Sequence, residues 1–286
     1  MRNILLLLIF CCSIFACNKQ NEKPLTFNDY PAFQSKYIPA RDVKVMLPTG
    51  YDAKKSYPVI YMHDGQMLFD STSTWNKQEW GVDETVDRLI KAQKIRSVIV
   101  VGVNNNLNRY LEYMPNKPQD ELKLTERSVK FKGQILSDEY LKFLVEELKP
   151  FIDKTYNTQA DRANTFILGS SMGGLISCYA ISEYPEVFGG AACLSTHWPA
   201  LNGVFLNYIR TNLPDPQSHK IYFDYGTHTL DSLYEPYQLI ADSLMEERGY
   251  SQNENWLTRK FEGAKHDENA WKSRLHIPLE FLLAKE

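Results

Sequence analysis

A serine at the centre of a glycine-framed pentapeptide is the residue of this chain best placed to do chemistry. Gly169-Ser170-Ser171-Met172-Gly173 fits the pattern Gly-x-Ser-x-Gly. The short apolar run 165–168 predicts a buried strand before it, and apolar residues at helical spacing over 175–180 predict a helix after it. A serine on such a strand-turn-helix is held above the sheet, where its hydroxyl can attack a carbonyl carbon. A glycine-rich tight turn without a chemical role is the alternative interpretation.

A serine nucleophile needs a histidine base, because the hydroxyl reacts poorly at neutral pH by itself. In hydrolases built on this turn, a carboxylate and then the histidine follow the serine along the chain. Among the six histidines, His266 fits that order. It comes just after the last predicted strand, 256–261, and before the closing helix, 271–283. A loop at this point could bring the imidazole over the ends of the strands.

The carboxylate that orients His266 is expected after the predicted strand 221–225. Asp231 lies in the loop that leaves this strand, and we favour it as the acid. Asp224, within the strand, and Glu235, further along the chain, remain the alternatives.

Two backbone N–H groups are needed to stabilise the negative charge that develops on the attacked carbonyl oxygen. The first predicted donor is the amide of Met172, directly after the serine. The second is expected in the turn His63-Asp64-Gly65-Gln66, which follows the apolar run 58–62, and we assign it to the amide of Gln66. His63 and Asp64 are interpreted as residues that hold this turn.

The segments that must position these residues alternate between strand and helix patterns. Such alternation predicts a single α/β domain with a mostly parallel central sheet flanked by helices. Ligands bind beyond the carboxyl ends of the strands in such sheets, which is where the loops that carry the candidate residues would lie. The predicted strands are 33–47, 58–62, 97–102, 165–168, 190–194, 220–225 and 256–261, and the principal helices follow at 82–90, 137–150, 175–180, 233–247 and 271–283.

Composition excludes some classes of protein. The 286 residues carry a formal net charge of −3, so there is no basic field for a nucleic acid, and we expect no nucleic-acid partner. Of the five cysteines, Cys178 and Cys193 fall in apolar segments of the domain and are expected to be buried free thiols.

The N-terminal segment predicts export. An apolar run, 4–15, follows Arg2 and is too short to span a bilayer, which is typical of a signal peptide. It ends in Ala16-Cys17, which resembles the bacterial motif in which the cysteine is acylated. We therefore predict a lipoprotein signal peptide at 1–16, a tether at 17–32 and a catalytic domain at 33–286. The protein would be an exported lipoprotein of the cell envelope, held to the membrane through lipid on Cys17; simple secretion without the lipid is the alternative.

Several motifs together resemble the esterase D-like group of α/β-hydrolases. This group includes feruloyl, acetyl-xylan and siderophore esterases and the mycolyltransferases. The resemblance covers 57–283, and members with a Gly-Thr-Asn-Asp-Ser-Leu sequence use that aspartate as the acid, which corresponds to Asp231 here. The motifs are Pro58-Val-Ile-Tyr-Met-His-Asp-Gly-Gln66, Glu79-Trp-Gly-Val-Asp-Glu84, Gly169-Ser-Ser-Met-Gly-Gly174, Gly226-Thr with Asp231-Ser-Leu233, and Gly263-Ala-Lys-His266-Asp.

The resemblance implies an α/β-hydrolase fold and a serine esterase that acts without a metal or cofactor. We expect the substrate to be a small-molecule or oligosaccharide ester, such as an acetyl or feruloyl ester. A siderophore esterase, an acyltransferase and a glycan-binding lipoprotein with a decayed hydrolase fold are the alternatives. Aromatic and basic residues in the loops near the site could contact substrate. The favoured contacts are His197, Trp198 and Trp80, with Trp75, Arg109 and Tyr113 also near the predicted rim.

Overall fold

The computed structural model describes residues 24–118 and 134–285. The predicted signal peptide, 1–16, and the predicted lipidation site, Cys17, lie outside these residues.

A single eight-stranded sheet in the order β1-β2-β4-β3-β5-β6-β7-β8 organises the described residues. β2 pairs antiparallel with both of its neighbours, and the pairings from β4 to β8 are parallel. The expectation of a mostly parallel sheet is therefore confirmed. The strands are β1 (Thr26–Phe33), β2 (Arg41–Leu47), β3 (Val59–His63), β4 (Ile99–Val103), β5 (Thr165–Ser170), β6 (Gly190–Leu194), β7 (Lys220–Gly226) and β8 (Trp256–Phe261).

Helices cover both faces of this sheet. In the described residues they are α1 (Val82–Lys91), α2 (Arg109–Tyr113), α3 (Ser137–Lys142), α4 (Lys149–Thr155), α5 (Met172–Glu183), α6 (Val204–Asn212), α7 (Glu235–Glu247), α8 (Glu268–Arg274) and α9 (His276–Leu283). A π-helical segment, Phe143–Leu148, joins α3 to α4. Short 3-10 helices lie at Gly65–Met67, Arg162–Asn164, Ala200–Gly203 and Thr229–Leu233.

The two faces of the sheet bury two hydrophobic cores. Along β3, Val59 and Tyr61 face the core beneath α3 to α7, whereas Ile60 and Met62 face the core beneath α1, α8 and α9. Because both faces are covered, the central strands are apolar at nearly every position instead of alternating. This burial explains why short continuous apolar runs in the sequence predicted the strands.

The sheet begins before the predicted domain boundary. Residues 26–32, assigned to the tether, belong to the edge strand β1, which pairs with β2. This part of the prediction is wrong because an edge strand gives a weak sequence signal: most of β1 is exposed, and Pro31 is tolerated there because its missing N–H is not needed. The first predicted strand, 33–47, is correspondingly shorter, since the strand begins at Arg41.

Other local predictions can be compared with the structure directly. Cys178 and Cys193 are buried free thiols, as expected.

The predicted closing helix is two helices, α8 and α9. Pro278 explains the break, because a proline ring clashes with the carbonyl four residues earlier, here that of Arg274. Within the described ranges, no helix combines the length and apolar character needed to cross a membrane.

Candidate active site

Ser171 occupies a strained turn between β5 and α5. Its φ of 58° and ψ of −121° are unfavourable for a residue with a side chain, and such strain is concentrated at functional sites. The flanking glycines allow the turn: a methyl group on Gly169 would come within 2.7 Å of the Gly173 backbone and 2.9 Å of the His63 ring. The Ser171 amide donates to the Leu194 carbonyl at 2.9 Å, which fixes the turn against β6.

His266 lies against Asp231. The two side chains are joined by a hydrogen bond of 2.5 Å between the imidazole Nδ1 and the carboxylate Oδ1. Both Ser171 and His266 line one open cavity of about 650 Å³ beyond the carboxyl ends of the strands. The structure thus brings a serine, a histidine and a carboxylate, predicted from widely separated segments, to the same edge of the sheet.

The Asp231 carboxylate is buried and held by three donors. Its Oδ2 accepts hydrogen bonds of 2.6 Å from the Gly226 amide and 2.6 Å from the Ser195 hydroxyl, in addition to the bond from His266 to Oδ1. Burial acts to raise the pKa of Asp231, but these hydrogen bonds outweigh it and hold the pKa below its ordinary value. The carboxylate therefore stays ionised, as a group that orients an imidazolium must be.

Close backbone packing brings the Asp231 loop and the His266 loop together. A methyl group on Gly226 would lie 2.3 Å from the Ala264 carbonyl oxygen, so glycine is required there. The amide of His266 donates to Thr229 Oγ1 at 2.8 Å. These contacts set the separation of Asp231 and His266 through the backbone.

The other two candidate acids have different partners. Asp224 is buried in an ion pair with Arg274 and also accepts from Tyr222 at 2.9 Å. Burial raises the pKa of Asp224. Glu235 forms a surface ion pair with Lys260. Neither carboxylate contacts His266 in the hydrogen bonds of the described residues.

Ser195 links the ion pair of Asp224 to the Asp231 carboxylate. Its hydroxyl accepts from Trp271 Nε1 at 3.0 Å and from Arg274 at 2.8 Å, so its own proton is directed to Asp231. Sequence reasoning missed Ser195, although its place directly after β6 put it at the edge of the sheet where the site lies.

The predicted oxyanion donors lie on two turns that pack together. Gln66 is in the 3-10 helix that follows β3, and Met172 begins α5. A methyl group on Gly173 would lie 3.4 Å from both His63 Cβ and Asp64 Oδ2, so the first turn of α5 rests on the residues before Gln66. The side chain of Gln66 accepts from the Asn105 amide at 3.1 Å. Because the two turns pack together, the backbone amides of Gln66 and Met172 remain the candidate donors of an oxyanion site.

Charged and aromatic partners hold the turn that precedes Gln66. The Asp64 carboxylate receives two hydrogen bonds of 2.7 Å from Arg109 and one of 2.5 Å from Asn105. Burial acts to raise the pKa of Asp64, but the charge and hydrogen bonds of Arg109 lower it by more. The pKa of Asp64 therefore lies below its usual value. His63 is buried against Tyr140 at 2.8 Å, and burial lowers its pKa to about 3. A neutral His63 matches its interpretation as a structural residue.

The three predicted substrate contacts have different positions. Trp80 lines the cavity and packs on Trp271, with ring centroids 5.4 Å apart. Trp198 is in the hydrophobic core instead of at the rim: it is 1% exposed, donates to Gln238 at 2.8 Å and stacks on Phe205. The prediction for Trp198 is therefore wrong. The direction in which a loop side chain points is set by the core it meets, which local sequence does not reveal.

His197 is half-buried behind the reacting groups. Its Nδ1 lies 2.8 Å from the Tyr234 hydroxyl, and its amide donates to the Ser171 carbonyl at 3.1 Å. Burial, together with the charges of His266 and Arg109, lowers the pKa of His197 to about 4. The described residues that line the cavity do not include His197.

The other three residues expected at the rim also have different positions in the structure. Trp75 is exposed and lines the cavity, and Arg109 lines it while bound to Asp64, whereas Tyr113 is fully buried. Further polar residues of the lining were not predicted, because they lie in loops or at the start of α8, where periodicity gives no signal; they are Asn76, Gln78, Asn105, Asp267 and Glu268. Within the described ranges, no group of three or more His, Cys, Asp or Glu side chains is placed to hold a metal ion.

The sheet order, the strained serine turn and the loops at the strand ends define an α/β-hydrolase. The chain belongs to the esterase family: the family profile described as "Putative esterase" matches residues 39–280. This confirms the resemblance seen in the sequence.

The individual relatives described next share less than 30% sequence identity with this chain. The chain is 26% identical over 160 residues to the uncharacterized protein YbbA of Bacillus subtilis, an alignment of 55% of this chain and 58% of YbbA. It is 29% identical over 192 residues to an endo-1,4-beta-xylanase/feruloyl esterase of Xylanibacter ruminicola, which covers 63% of this chain and 21% of that protein. The aligned parts are thus less than two thirds of either relative.

Solved structures confirm the α/β-hydrolase fold. A ferulic acid esterase superimposes with a TM-score of 0.68 at 20% identity, over 91% of this chain and 98% of that one. An IroE-like serine hydrolase from Shewanella oneidensis gives 0.68 at 19% identity, over 90% and 80% of the two chains. The enterobactin esterase FES from Shigella flexneri gives 0.66 at 18% identity, over 90% and 59%.

Proposed function

We propose that this protein is an exported, lipid-anchored serine esterase that hydrolyses acetyl or feruloyl esters of carbohydrates through Ser171, His266 and Asp231. One observation carries the proposal: the 2.5 Å pair of His266 and Asp231 shares a cavity with a serine on a strained strand-to-helix turn. Membership of the esterase family supports the reaction class.

The reaction would proceed in two halves on Ser171. The Oγ attacks the ester carbonyl carbon while its proton passes to His266, and the carbonyl electron pair becomes an oxyanion facing the amides of Gln66 and Met172. Each such donor lowers the barrier by roughly 2.7–4 kcal/mol. The oxyanion then re-forms the carbonyl, and the alcohol leaves with the proton held by His266. Water attacks the acyl-enzyme in the same way and releases the acid.

The lining of the cavity supports a carbohydrate substrate. Amide and carboxylate side chains, among them Gln78 and Glu268, provide hydrogen-bonding groups suited to sugar hydroxyls. The indole rings of Trp75 and Trp80 offer flat apolar surfaces for a sugar face or an aromatic acyl group. This mixture of polar and aromatic groups resembles neither a purely apolar acyl tunnel nor a cationic site.

The pairing of Arg109 with Asp64 argues against the siderophore alternative. Ferric catecholate complexes are anionic and would need uncompensated positive charge. In the cavity, Arg109 is bound by Asp64 through two 2.7 Å hydrogen bonds, so its charge is already matched.

A panel of esters tests the proposal. We expect kcat/KM for methyl ferulate, feruloylated oligosaccharides or acetylated xylan fragments to exceed that for a tri-catecholate lactone by about tenfold or more, which corresponds to roughly 1.4 kcal/mol of differential transition-state binding. The Ser171→Ala variant gives the background. A preference for the catecholate ester would assign the siderophore function. Acylated sugar formed from an added acceptor would indicate an acyltransferase, and glycan binding without turnover would indicate a decayed hydrolase.

The proposed anchor rests on the N-terminal sequence. The apolar run 4–15 and the dipeptide Ala16-Cys17 support acylation of Cys17 after signal cleavage. In a bacterial host that processes lipoproteins, labelled palmitate should be incorporated into the wild-type chain and not into Cys17→Ser, and detergent should be needed to extract only the former. The Cys193→Ser variant serves as the control. Equal labelling of wild type and Cys17→Ser would remove the anchor from the proposal.

A further inference from the structure

A tyrosine that the reaction above does not use is buried among its reacting groups. Tyr234 links the 3-10 helix Thr229–Leu233 to α7 and is fully buried. Its ring packs edge-on against His266, with centroids 5.6 Å apart and planes at 88°. Its hydroxyl is 2.8 Å from His197 Nδ1, and the Ser171 side chain is close enough to affect the pKa of the phenol. A buried phenol needs a hydrogen-bonding partner, and His197 provides one directly beside the attacking serine.

The protons of this cluster can be placed by counting donors. When Ser171 donates its own proton to His266, its Oγ can still accept from a neighbour. Tyr234 has one proton, so donating it to Ser171 leaves its oxygen to accept from His197 Nδ1. The neutral form of His197 carries one N–H and can supply it. His197 is itself fixed beside the serine by the bond from its amide to the Ser171 carbonyl.

Tyr234 remains protonated throughout. Burial raises the pKa of its phenol above the ordinary value, and the nearby Asp231 charge raises it further; together they outweigh the lowering effect of the Ser171 side chain. The low pKa of His197, near 4, likewise keeps that imidazole neutral at neutral pH. His197 and Tyr234 therefore both stay neutral beside Ser171. They can orient hydrogen bonds towards it without transferring a proton.

We propose that Tyr234 is a further catalytic residue, whose hydroxyl donates to Ser171 Oγ and is oriented for this by His197. The bond holds Oγ in position for attack and stabilises the negative charge that grows on it as the proton moves to His266. The proton of Tyr234 stays in place, so the balance of the reaction is unchanged. This inference rests on the proposed function of Ser171.

The Tyr234→Phe variant tests the hydroxyl alone, because phenylalanine keeps the ring against His266. We expect kcat for an aryl ester to fall about 10- to 100-fold with little change in KM, since a hydrogen bond to a charge-bearing group is lost. The rate constant for labelling of Ser171 by a fluorophosphonate should fall by a similar factor. That readout depends on attack by Oγ and needs no knowledge of the natural substrate.

A matched control separates catalysis from stability. Tyr250 is also buried, and its hydroxyl donates to the Pro214 carbonyl at 3.0 Å, within a different part of the fold. Tyr250→Phe should lose some thermal stability and leave both rate constants within about twofold of wild type. The role of His197 is tested by His197→Phe, whose effect on labelling should be small once Tyr234→Phe is present, because the two residues act in series.

The outcomes distinguish this inference from the proposed function. If the wild type is labelled at Ser171 and Tyr234→Phe is labelled at the same rate, the role of Tyr234 is overturned and the esterase proposal stands. Full additivity of His197→Phe and Tyr234→Phe would overturn the orienting role of His197. A wild type that neither reacts with the probe nor cleaves an aryl ester would overturn both proposals.

Discussion

Replacing Ser171 with alanine should lower kcat for aryl-ester hydrolysis by about ten-thousandfold or more, on the scale seen when serine hydrolases lose their nucleophile. The reason is that no acyl-enzyme can form, so that the cavity retains only binding and oxyanion stabilisation. The measurement is initial-rate kinetics on 4-nitrophenyl acetate, with active-site titration of the wild type to fix the enzyme concentration. The variant should keep its thermal stability, because the strained backbone turn is retained.

Ser170→Ala is the internal comparison for this experiment. Ser170 ends β5, is buried and lies directly beside Ser171. Its loss should cost no more than about tenfold in kcat, the scale of one neutral hydrogen bond. If Ser170→Ala were the inactive variant and Ser171→Ala kept its rate, the nucleophile would be misassigned.

The Asp231→Asn variant should lower kcat by about ten-thousandfold, as in serine proteases that lose the orienting aspartate in the same way. An asparagine can present its NH₂ group to His266 Nδ1, which favours the tautomer whose Nε2 carries the proton. That tautomer cannot accept the proton of Ser171. The rate should be measured across pH on folded protein, with the fraction folded checked by circular dichroism.

Two other carboxylates provide the contrast. Asp224→Asn leaves Arg274 buried with a weakened partner, so we expect a loss of unfolding free energy of about 3 kcal/mol, in the range for a broken buried ion pair. Its kcat per folded molecule should fall far less than that of Asp231→Asn. Glu235→Gln removes a surface pair and should change neither quantity measurably. A loss of rate in Asp224→Asn that matched Asp231→Asn would indicate a shared role.

Local patterns in the sequence were sufficient to predict the site residues that lie at the ends of strands. Ser171 is marked by a turn whose glycines have a steric reason, and His266 follows a strand that a short alternating run predicts. The choice of Asp231 over Asp224 follows the same reasoning, because a residue inside a strand is committed to the core, where Asp224 meets Arg274. These positions depend on chain connectivity more than on tertiary packing.

Tertiary packing explains what the sequence did not predict. Trp198 lies in a loop of polar and aromatic residues, yet the neighbouring core of Phe205 and Phe223 draws it inward. Tyr234 was missed although it follows Asp231 by three residues on a 3-10 turn, a spacing that places both side chains on one face. That spacing is a usable signal only after the turn is known to be helical.

The edge strand β1 determines which edge of the sheet would lie nearest to the proposed lipid anchor. β1 runs parallel to β3, and its first residue, Thr26, pairs with Leu47 at the amino edge of the sheet, whereas the cavity opens beyond the carboxyl edge. The nine residue steps from Cys17 to Thr26 span at most about 30 Å. With lipid on Cys17, we expect the amino edge of the sheet to lie within about 30 Å of the bilayer, on the side of the domain opposite the cavity. A cavity at the edge opposite the proposed anchor would be more accessible to soluble glycans than to membrane lipids.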